Sequence, residues 1–307
     1  MSLRAATCST GVPALPPGPP YACDALHAWS GLAFDLPPAD PRLRALHDGG
    51  AEPTAPLANL VGAGLAWERW PEHMDFLEPS SPMYAQKRAE RALYTERWER
   101  HVPPGCRVLD LGGGIGRFTQ WCLDRGCTVE LVDPDLRSLR AAVRHAVGRP
   151  GKLDVHWATG ETLPDLAPVD VVIAAEVLCY VEDVERVLAN IRRVLVPGGP
   201  LLCSVEGRWG WAAAYDAAPG TLDALLGDGV VHVPGDKWVR TYDRADLERV
   251  LAAWTVEELV PTHYIPCGAF ETAAGPMPLV DMMKWEERLR AHPMTAPWNR
   301  AWMAVAR

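Results

Sequence analysis

Between residues 105 and 206 the chain alternates apolar runs and amphipathic stretches with a regular beat. CRVLDLG is an apolar run closed by glycines, and GRFTQWCLDRG follows it with helical spacing. TVELVD and LRSLRAAVRHAV repeat the pair as strand and helix, and LDVHWA adds a third strand. VDVVIAAEV is apolar almost throughout, as a strand covered on both faces must be. VERVLANIRRVLVPGG reads as a helix stopped by a glycine pair, and PLLCSVEG as a fifth strand. This alternation predicts an α/β fold with a mostly parallel sheet and helices on both faces.

The flanks are less regular. Upstream, SPMYAQKRAERALYTERWERHV sets Ala89, Leu93 and Trp98 on a rough helical stripe, which predicts a helix over about 84–101. Pro103-Pro104-Gly105 halts it. Downstream, DRADLERVLAA predicts a helix capped by Asp243, WTVEELVPTHYIP a sixth strand and WNRAWMAVAR a last one. Interruptions at about 207–240 and 265–299 are too long for ordinary connections and read as functional lids. Prolines crowd residues 1–80 and forbid long regular elements there. Trp29, Phe34, Leu57, Leu60, Val61, Leu65, Trp67 and Trp70 are nevertheless too many apolar anchors for a solvated tail. The expected organisation is a Pro-rich extension, 1–80, packed on a domain, 81–307, that carries both insertions.

Composition narrows the classes of function. The chain has 307 residues, 48% hydrophobic and 22% charged, which is ordinary for a globular protein with a real core. No run approaches the ~20 apolar residues of a membrane span, and the first residues carry no apolar secretory stretch. A net charge of −9 argues against a nucleic-acid partner. Eight cysteines without a C-x-x-C pair predict reduced, mostly buried thiols in a cytoplasmic protein, with no structural zinc. The chain has 13 Trp against 4 Phe, and Trp209, Trp211, Trp238, Trp285 and Trp298 fall in the two insertions.

The strongest chemical signal is Asp110-Leu111-Gly112-Gly113-Gly114-Ile115-Gly116-Arg117, between a predicted strand and a predicted helix. Its glycines let the backbone turn tightly and approach a ligand. The next strand ends in Asp133, 17 residues after Gly116, where a carboxylate can accept hydrogen bonds from a ribose diol. A dinucleotide-binding G-x-G-x-x-G is not met, because Arg117 occupies the third glycine position counted from Gly112 and Gly114. An acidic loop also suits a ligand that carries positive charge.

These residues resemble the class I S-adenosylmethionine-dependent methyltransferases, well over about 105–206 and loosely over 81–307. The resemblance implies a Rossmann-like sheet of seven strands, the last antiparallel, and S-adenosylmethionine as cofactor. Asp110, Gly112, Gly114 and Gly116 match the motif that wraps the methionine part and ribose, with Asp133 on the diol and Pro134 beside the adenine. Ala158-Thr159-Gly160-Glu161-Thr162-Leu163-Pro164 matches the adenine segment, with Thr159 where the family commonly has an acid. Ala175 and Glu176 match the exit of the fourth strand, and the E-V-L-x-Y form is similar to nodulation-type N-methyltransferases. Gly-Ile-Gly-Arg117 also resembles the loop of α-N-terminal protein methyltransferases, whose arginine meets the cofactor carboxylate. Tyr84 and Arg88 either close over the methionine end or form an ordinary solvated helix face.

Candidate catalytic groups lie beyond the carboxyl ends of the strands, where ligands bind in open α/β sheets. Glu176 ends an apolar strand and contacts either a ligand amine or a nearby arginine. Tyr180 either orients an acceptor or packs under the next helix. His232 in the first insertion and His263 after the sixth strand are general-base candidates, each of which can equally be structural. No carboxylate cluster has metal-ligand spacing. The reading is a methyltransferase acting on the nitrogen or oxygen of a small or peptide-derived natural product. The alternatives are a methyltransferase of peptide α-N-termini and a non-methylating binding protein on the same fold.

Overall fold

Strands β1 (Arg107–Leu111), β2 (Thr128–Asp133), β3 (Lys152–Trp157), β4 (Val171–Ala175) and β5 (Leu201–Glu206) form where the apolar runs predict them. With β8 (Val256–Thr262) and β9 (Ala301–Ala306) they make one seven-stranded sheet, ordered β3-β2-β1-β4-β5-β9-β8. The computed structural model describes residues 36–47, 75–214, 220–232 and 238–307. The strands β1 to β5 pair in parallel, and β9 runs antiparallel to both β5 and β8. All the parallel strands therefore end at one edge, and β9 begins there.

Both faces of the sheet are covered, which explains the continuous apolar runs. Val171 and Ile173 of β4 pack with Val129, Leu131 and Leu153 on one side. Val172 and Ala174 pack with Leu201 and Cys203 on the other. Helix α5 (Val184–Val194) lays Val187, Leu188, Ile191 and Val194 on that second side, one stripe of a 3.6-residue period. Helices α3 (Arg117–Asp124) and α4 (Leu136–Ala146) cover the first side with Phe118, Cys122, Leu123, Leu136 and Leu139. Helix α2 (Tyr84–Trp98) joins them there through Tyr94 and Trp98.

Two pieces of the N-terminal 80 residues are described. Helix α1 (Pro41–His47) buries Leu43 in the first core, and the Ala39 N–H donates to the Trp157 carbonyl on edge strand β3, 2.9 Å away. Asp75 is buried and pairs with His145 of α4 at 2.7 Å. Trp29, Phe34, Leu57, Leu60, Val61, Leu65, Trp67 and Trp70, and likewise Cys8 and Cys23, lie outside the described residues.

The two insertions contain more regular structure than their sequences suggest. The first forms α6 (Arg208–Ala214), α7 (Thr221–Leu226) and a hairpin of β6 (Val230–His232) with β7 (Trp238–Arg240). The second forms α9 (Glu271–Ala274) and α10 (Leu279–Ala291), after α8 (Arg244–Val250) and β8. Trp211 and Trp238 are buried, whereas Trp209, Trp285 and Trp298 are 38–44% exposed. The insertions are thus partly core and only partly lid. Short helices need tertiary support and good ends, because a few turns are marginal alone.

At the start of α8 that end is a capping box. The Asp243 side chain accepts from the Asp246 N–H, and the Asp246 side chain accepts from the Asp243 N–H. Asp243→Ala is expected to lower stability by about 1 kcal/mol. Urea unfolding followed by circular dichroism checks this, with a shifted midpoint and an unchanged slope.

Candidate functional site

The edge where β1, β2, β4, β5 and β8 end gathers most of the residues singled out by sequence. The turn from β1 into α3 carries the glycines. Gly114 has a φ of +55°, which favours glycine, and a Cβ built there meets nothing within 4 Å, so the loop faces open space. Its N–H donates to Asp133 Oδ2 at 2.8 Å, while Asp133 Oδ1 accepts from the Asp135 N–H at 2.8 Å. Burial raises the Asp133 carboxyl to about 7. Gly113 was not singled out by sequence. A Cβ there would lie 2.5 Å from the Asp110 carboxylate, so a side chain would displace that group. Asp110 is buried and raised to about 6 by that burial, and its Oδ2 accepts from the Thr119 hydroxyl at 2.6 Å. Its Oδ1 has no partner among the described residues.

Beside the loop lies a charge network in which Glu176 meets an arginine, one of its two expected partners, while Lys87 and Glu90 were not anticipated from sequence. Arg117, the first residue of α3, holds Glu90 Oε2 at 2.7 Å and Glu176 Oε1 at 3.8 Å. Glu90 also accepts from Lys87 at 2.9 Å and from the Cys267 thiol at 2.7 Å. Tyr94 donates its hydroxyl to Glu176 at 3.1 Å. Lys87, Glu90 and Tyr94 share one face of α2, at spacings of three and four. That spacing was the available signal, but it was masked by the ordinary charged composition of the helix. Burial works against both carboxylates; Arg117 and Lys87 outweigh it and hold both below their usual range.

Strain converges on the same place. Glu176, His263 and Cys267 are the non-glycine residues with positive φ among the described residues, at 58°, 62° and 57°. Each such backbone costs of order 1–3 kcal/mol and persists only where its surroundings over-determine it. At Glu176, the backbone N–H is held by both the Ser204 carbonyl and the Ser204 hydroxyl, each at 3.0 Å. At His263, buried Glu286 of α10 accepts from the N–H groups of Tyr264 and Ile265 at 2.8 Å. The His263 carbonyl accepts from the Arg300 N–H at 3.1 Å.

The His263 ring packs 4.7 Å from the Tyr94 ring, and neither ring nitrogen has a partner among the described residues. Burial lowers its basicity to about 4, so it is neutral at neutral pH and one nitrogen is free to accept a proton or a hydrogen bond. Glu90, Glu176 and His263 bring one ligand atom each within 4.8 Å of one another, a spacing that suits a metal ion. Lys87 and Arg117 already balance the two carboxylates, so a divalent ion would add two uncompensated charges to a buried site.

Other predicted residues are brought elsewhere. Tyr180 donates to Glu206 Oε1 at 3.0 Å, and Glu206 is buried in an ion pair with Arg300, so the Tyr180 hydroxyl is committed to that pair. Thr159 exchanges hydrogen bonds with Thr162 across one turn, at 3.0–3.2 Å. Gly160 and Pro134 turn their carbonyls to Asn190 and to the Trp157 indole N–H, each at 2.8–2.9 Å. Glu161 accepts from the Glu182 N–H at 2.9 Å. Arg88 lies over the Tyr84 ring, 5.4 Å from its centre, as a local pair on α2. Ala175 ends β4 opposite Ser204. The backbone of His232 pairs with Trp238 in the hairpin, and its side chain lies outside the described residues.

Arg117 compensates two buried carboxylates at once, so its loss should be costly. Arg117→Met is expected to destabilise the protein by about 3–5 kcal/mol, because Glu176 loses its arginine and Glu90 is left with Lys87 as its one cationic partner among the described residues. Adding Glu90→Gln and Glu176→Gln should restore most of that. Urea unfolding of the single and triple variants tests this; equal losses in both would show that packing, and not charge, holds the network.

Residues 109–203 match a family model described as a methyltransferase domain. Over 106 residues the chain is 34% identical to a ubiquinone biosynthesis O-methyltransferase of Idiomarina loihiensis, covering 34% of this chain and 44% of that protein. The chain thus spans less than half the length of that curated relative. Among solved structures, a Listeria monocytogenes protein provisionally assigned as an S-adenosylmethionine-dependent methyltransferase aligns with a TM-score of 0.51 at 15% identity. That alignment covers 71% of this chain and 97% of the other. The N-methyltransferase NodS of Bradyrhizobium japonicum WM9, in complex with S-adenosyl-L-homocysteine, aligns at 0.49 and 15% identity, covering 76% and 93%. Residues 109–203 thus carry a methyltransferase domain, and the sheet that holds them has the fold of the S-adenosylmethionine-dependent methyltransferase structure it aligns with.

Proposed function

We propose that this protein transfers the methyl group of S-adenosylmethionine to an oxygen or nitrogen of a small or peptide-derived acceptor. The observation that carries the reading is the glycine loop clamped to Asp133, open above Gly114, with the half-open Glu176 carboxylate beside it. A ligand with a ribose diol, an amino-acid end and a net positive centre matches those groups in type. Asp133 would accept from the diol, since each of its oxygens keeps a lone pair after the backbone bonds. Glu176 would face the ammonium, and Arg117 the carboxylate next to it. The bound cofactor supplies an electrophilic methyl on a sulfonium.

The chain's own part is positioning. The nucleophile must be held ~3 Å from the methyl carbon and in line with the departing sulfur. Exposed Trp209, Trp285 and Trp298 give the insertions apolar, planar surface. This supports an aromatic or apolar acceptor of the kind found among natural products. His263 is the candidate proton acceptor: it is neutral, its ring nitrogens have no partner among the described residues, and it lies within 4.8 Å of the Glu176 carboxylate. A hydroxyl or protonated amine needs such a group, whereas a free amine does not. The similarity to the Idiomarina O-methyltransferase also favours oxygen.

Calorimetry with S-adenosylmethionine is expected to show micromolar binding, abolished by Asp133→Ala and by Gly114→Leu. No binding to the unaltered protein overturns the proposal. The diol needs the charged form of Asp133, whose carboxyl sits at about 7. Affinity should therefore be full above pH 7 and fall by about tenfold per unit below it.

The acceptor is approached with a panel of phenols, amines and peptides with free N-termini, read by mass spectrometry for a methyl gain. Methylation of a hydroxyl, lost in His263→Asn while cofactor binding persists, supports the assignment. Methylation confined to peptide N-termini would replace the acceptor class. Tight cofactor binding with no methyl gain on any compound would favour a binding protein.

A further inference from the structure

The structure brings two thiols together at the edge of the sheet opposite the candidate site. Cys106 immediately precedes β1 and Cys127 immediately precedes β2. The two strands are parallel and in register from Arg107 with Thr128, so one step back along both sets Cys106 opposite Cys127. The Thr128 N–H donates to the Cys106 carbonyl at 3.0 Å, which continues the ladder to that step. The sulfur atoms are 3.7 Å apart, with nothing between them. Neighbouring strands lie ~4.8 Å apart, inside the Cα separation that a disulfide spans, so the bond needs only a small turn of the side chains.

The pair also differs chemically from the other thiols. Cys122, Cys127, Cys179 and Cys203 are fully buried, and the Cys267 thiol donates a hydrogen bond to Glu90. Cys106 is half-buried, so an oxidant reaches the pair from the Cys106 side. The Cys106 thiol and nearby backbone N–H groups donate toward the Cys127 sulfur, while Arg125 adds positive charge; together they bring Cys127 down to about 7. A thiolate is the form that reacts with peroxide.

We propose that Cys106 and Cys127 are an oxidation site that closes to a disulfide when the protein meets a peroxide. One thiol takes an oxygen from hydrogen peroxide to give a sulfenic acid and one water. The second thiol attacks that sulfur, the S–S bond forms, and the hydroxyl leaves as a second water. Two thiols lose two electrons and two protons, and the peroxide is reduced. A thiol reductant reverses the step.

The bond would close a loop of 21 residues, holding β1, the glycine loop and α3 between its ends. Cross-linking a loop of that length restricts the unfolded chain and stabilises the folded one. Both sulfurs lie at the starts of their strands and the ligand groups at the ends. The bond would therefore stiffen the segment that carries the glycine loop without entering the site. It depends on no assumption about the methyl acceptor or the cofactor.

The test uses the full-length protein, reduced and then treated with hydrogen peroxide. Trypsin cuts at Arg117 and Arg125, so the peptides of Cys106, Cys122 and Cys127 separate unless they are joined. A non-reducing digest should show the Cys106 and Cys127 peptides linked, two hydrogens lighter than their sum, with the Cys122 peptide unmodified. The melting temperature should rise by several degrees and return on reduction. Cys106→Ser and Cys127→Ala should each abolish both the linked peptide and the rise. Separate peptides, with oxidation at Cys267 or as sulfinic acid at Cys106, would overturn the proposal. A linked peptide without a rise in melting temperature would uphold the oxidation site and overturn its stabilising role.

Discussion

The pairing of Arg117 with Glu90 and Glu176 is the interaction on which the ligand edge depends. It ties three separate pieces of chain: α2, the start of α3, and the end of β4. None of these charges is tolerable in the interior alone, since a buried ion without a partner costs several kcal/mol. Together they neutralise one another and set where the glycine loop sits relative to the sheet. Lys87, Tyr94 and Cys267 supply the remaining donors, so the carboxylates are well served by hydrogen bonds.

The same network explains why strain can persist there. Glu176 and His263 adopt left-handed backbones because their amide or carbonyl groups, and those of their neighbours, are held by Ser204, Glu286 and Arg300. Energy stored in this way keeps two side chains aimed at the end of β4 that a relaxed backbone would turn aside. The result is a closely hydrogen-bonded floor at the end of β4. The second insertion contributes to it: α10 carries Glu286, and the loop before α9 carries Cys267.

The sheet was readable from the sequence because its signal is local. Strands buried on both faces must be apolar throughout, and helices covering them must show a 3.6-residue stripe, so β1 to β5 and α3 to α5 lie where the runs predict. The glycine loop and Asp133 were readable for a related reason: a tight turn and a terminal acid leave marks within a few residues. Lys87, Glu90 and Tyr94 were not. On α2 they read as part of a mixed charged helix, and only their burial against Arg117 gives them a role. The insertions showed the same limit, as Trp211 and Trp238 went to the core and not to a lid.

The sequence by itself determined the order of strands and helices, the tight turn at Gly114 and the acid at the end of β2. Each follows from neighbours along the chain. The tertiary structure decided which charges pair, whether Tyr180 is free or held by Glu206, and that the His263 ring has no partner among the described residues. It also set Cys106 beside Cys127, 21 residues apart in sequence. These are contacts between distant segments, and their strength depends on burial and on local charge, which no stretch of sequence carries alone.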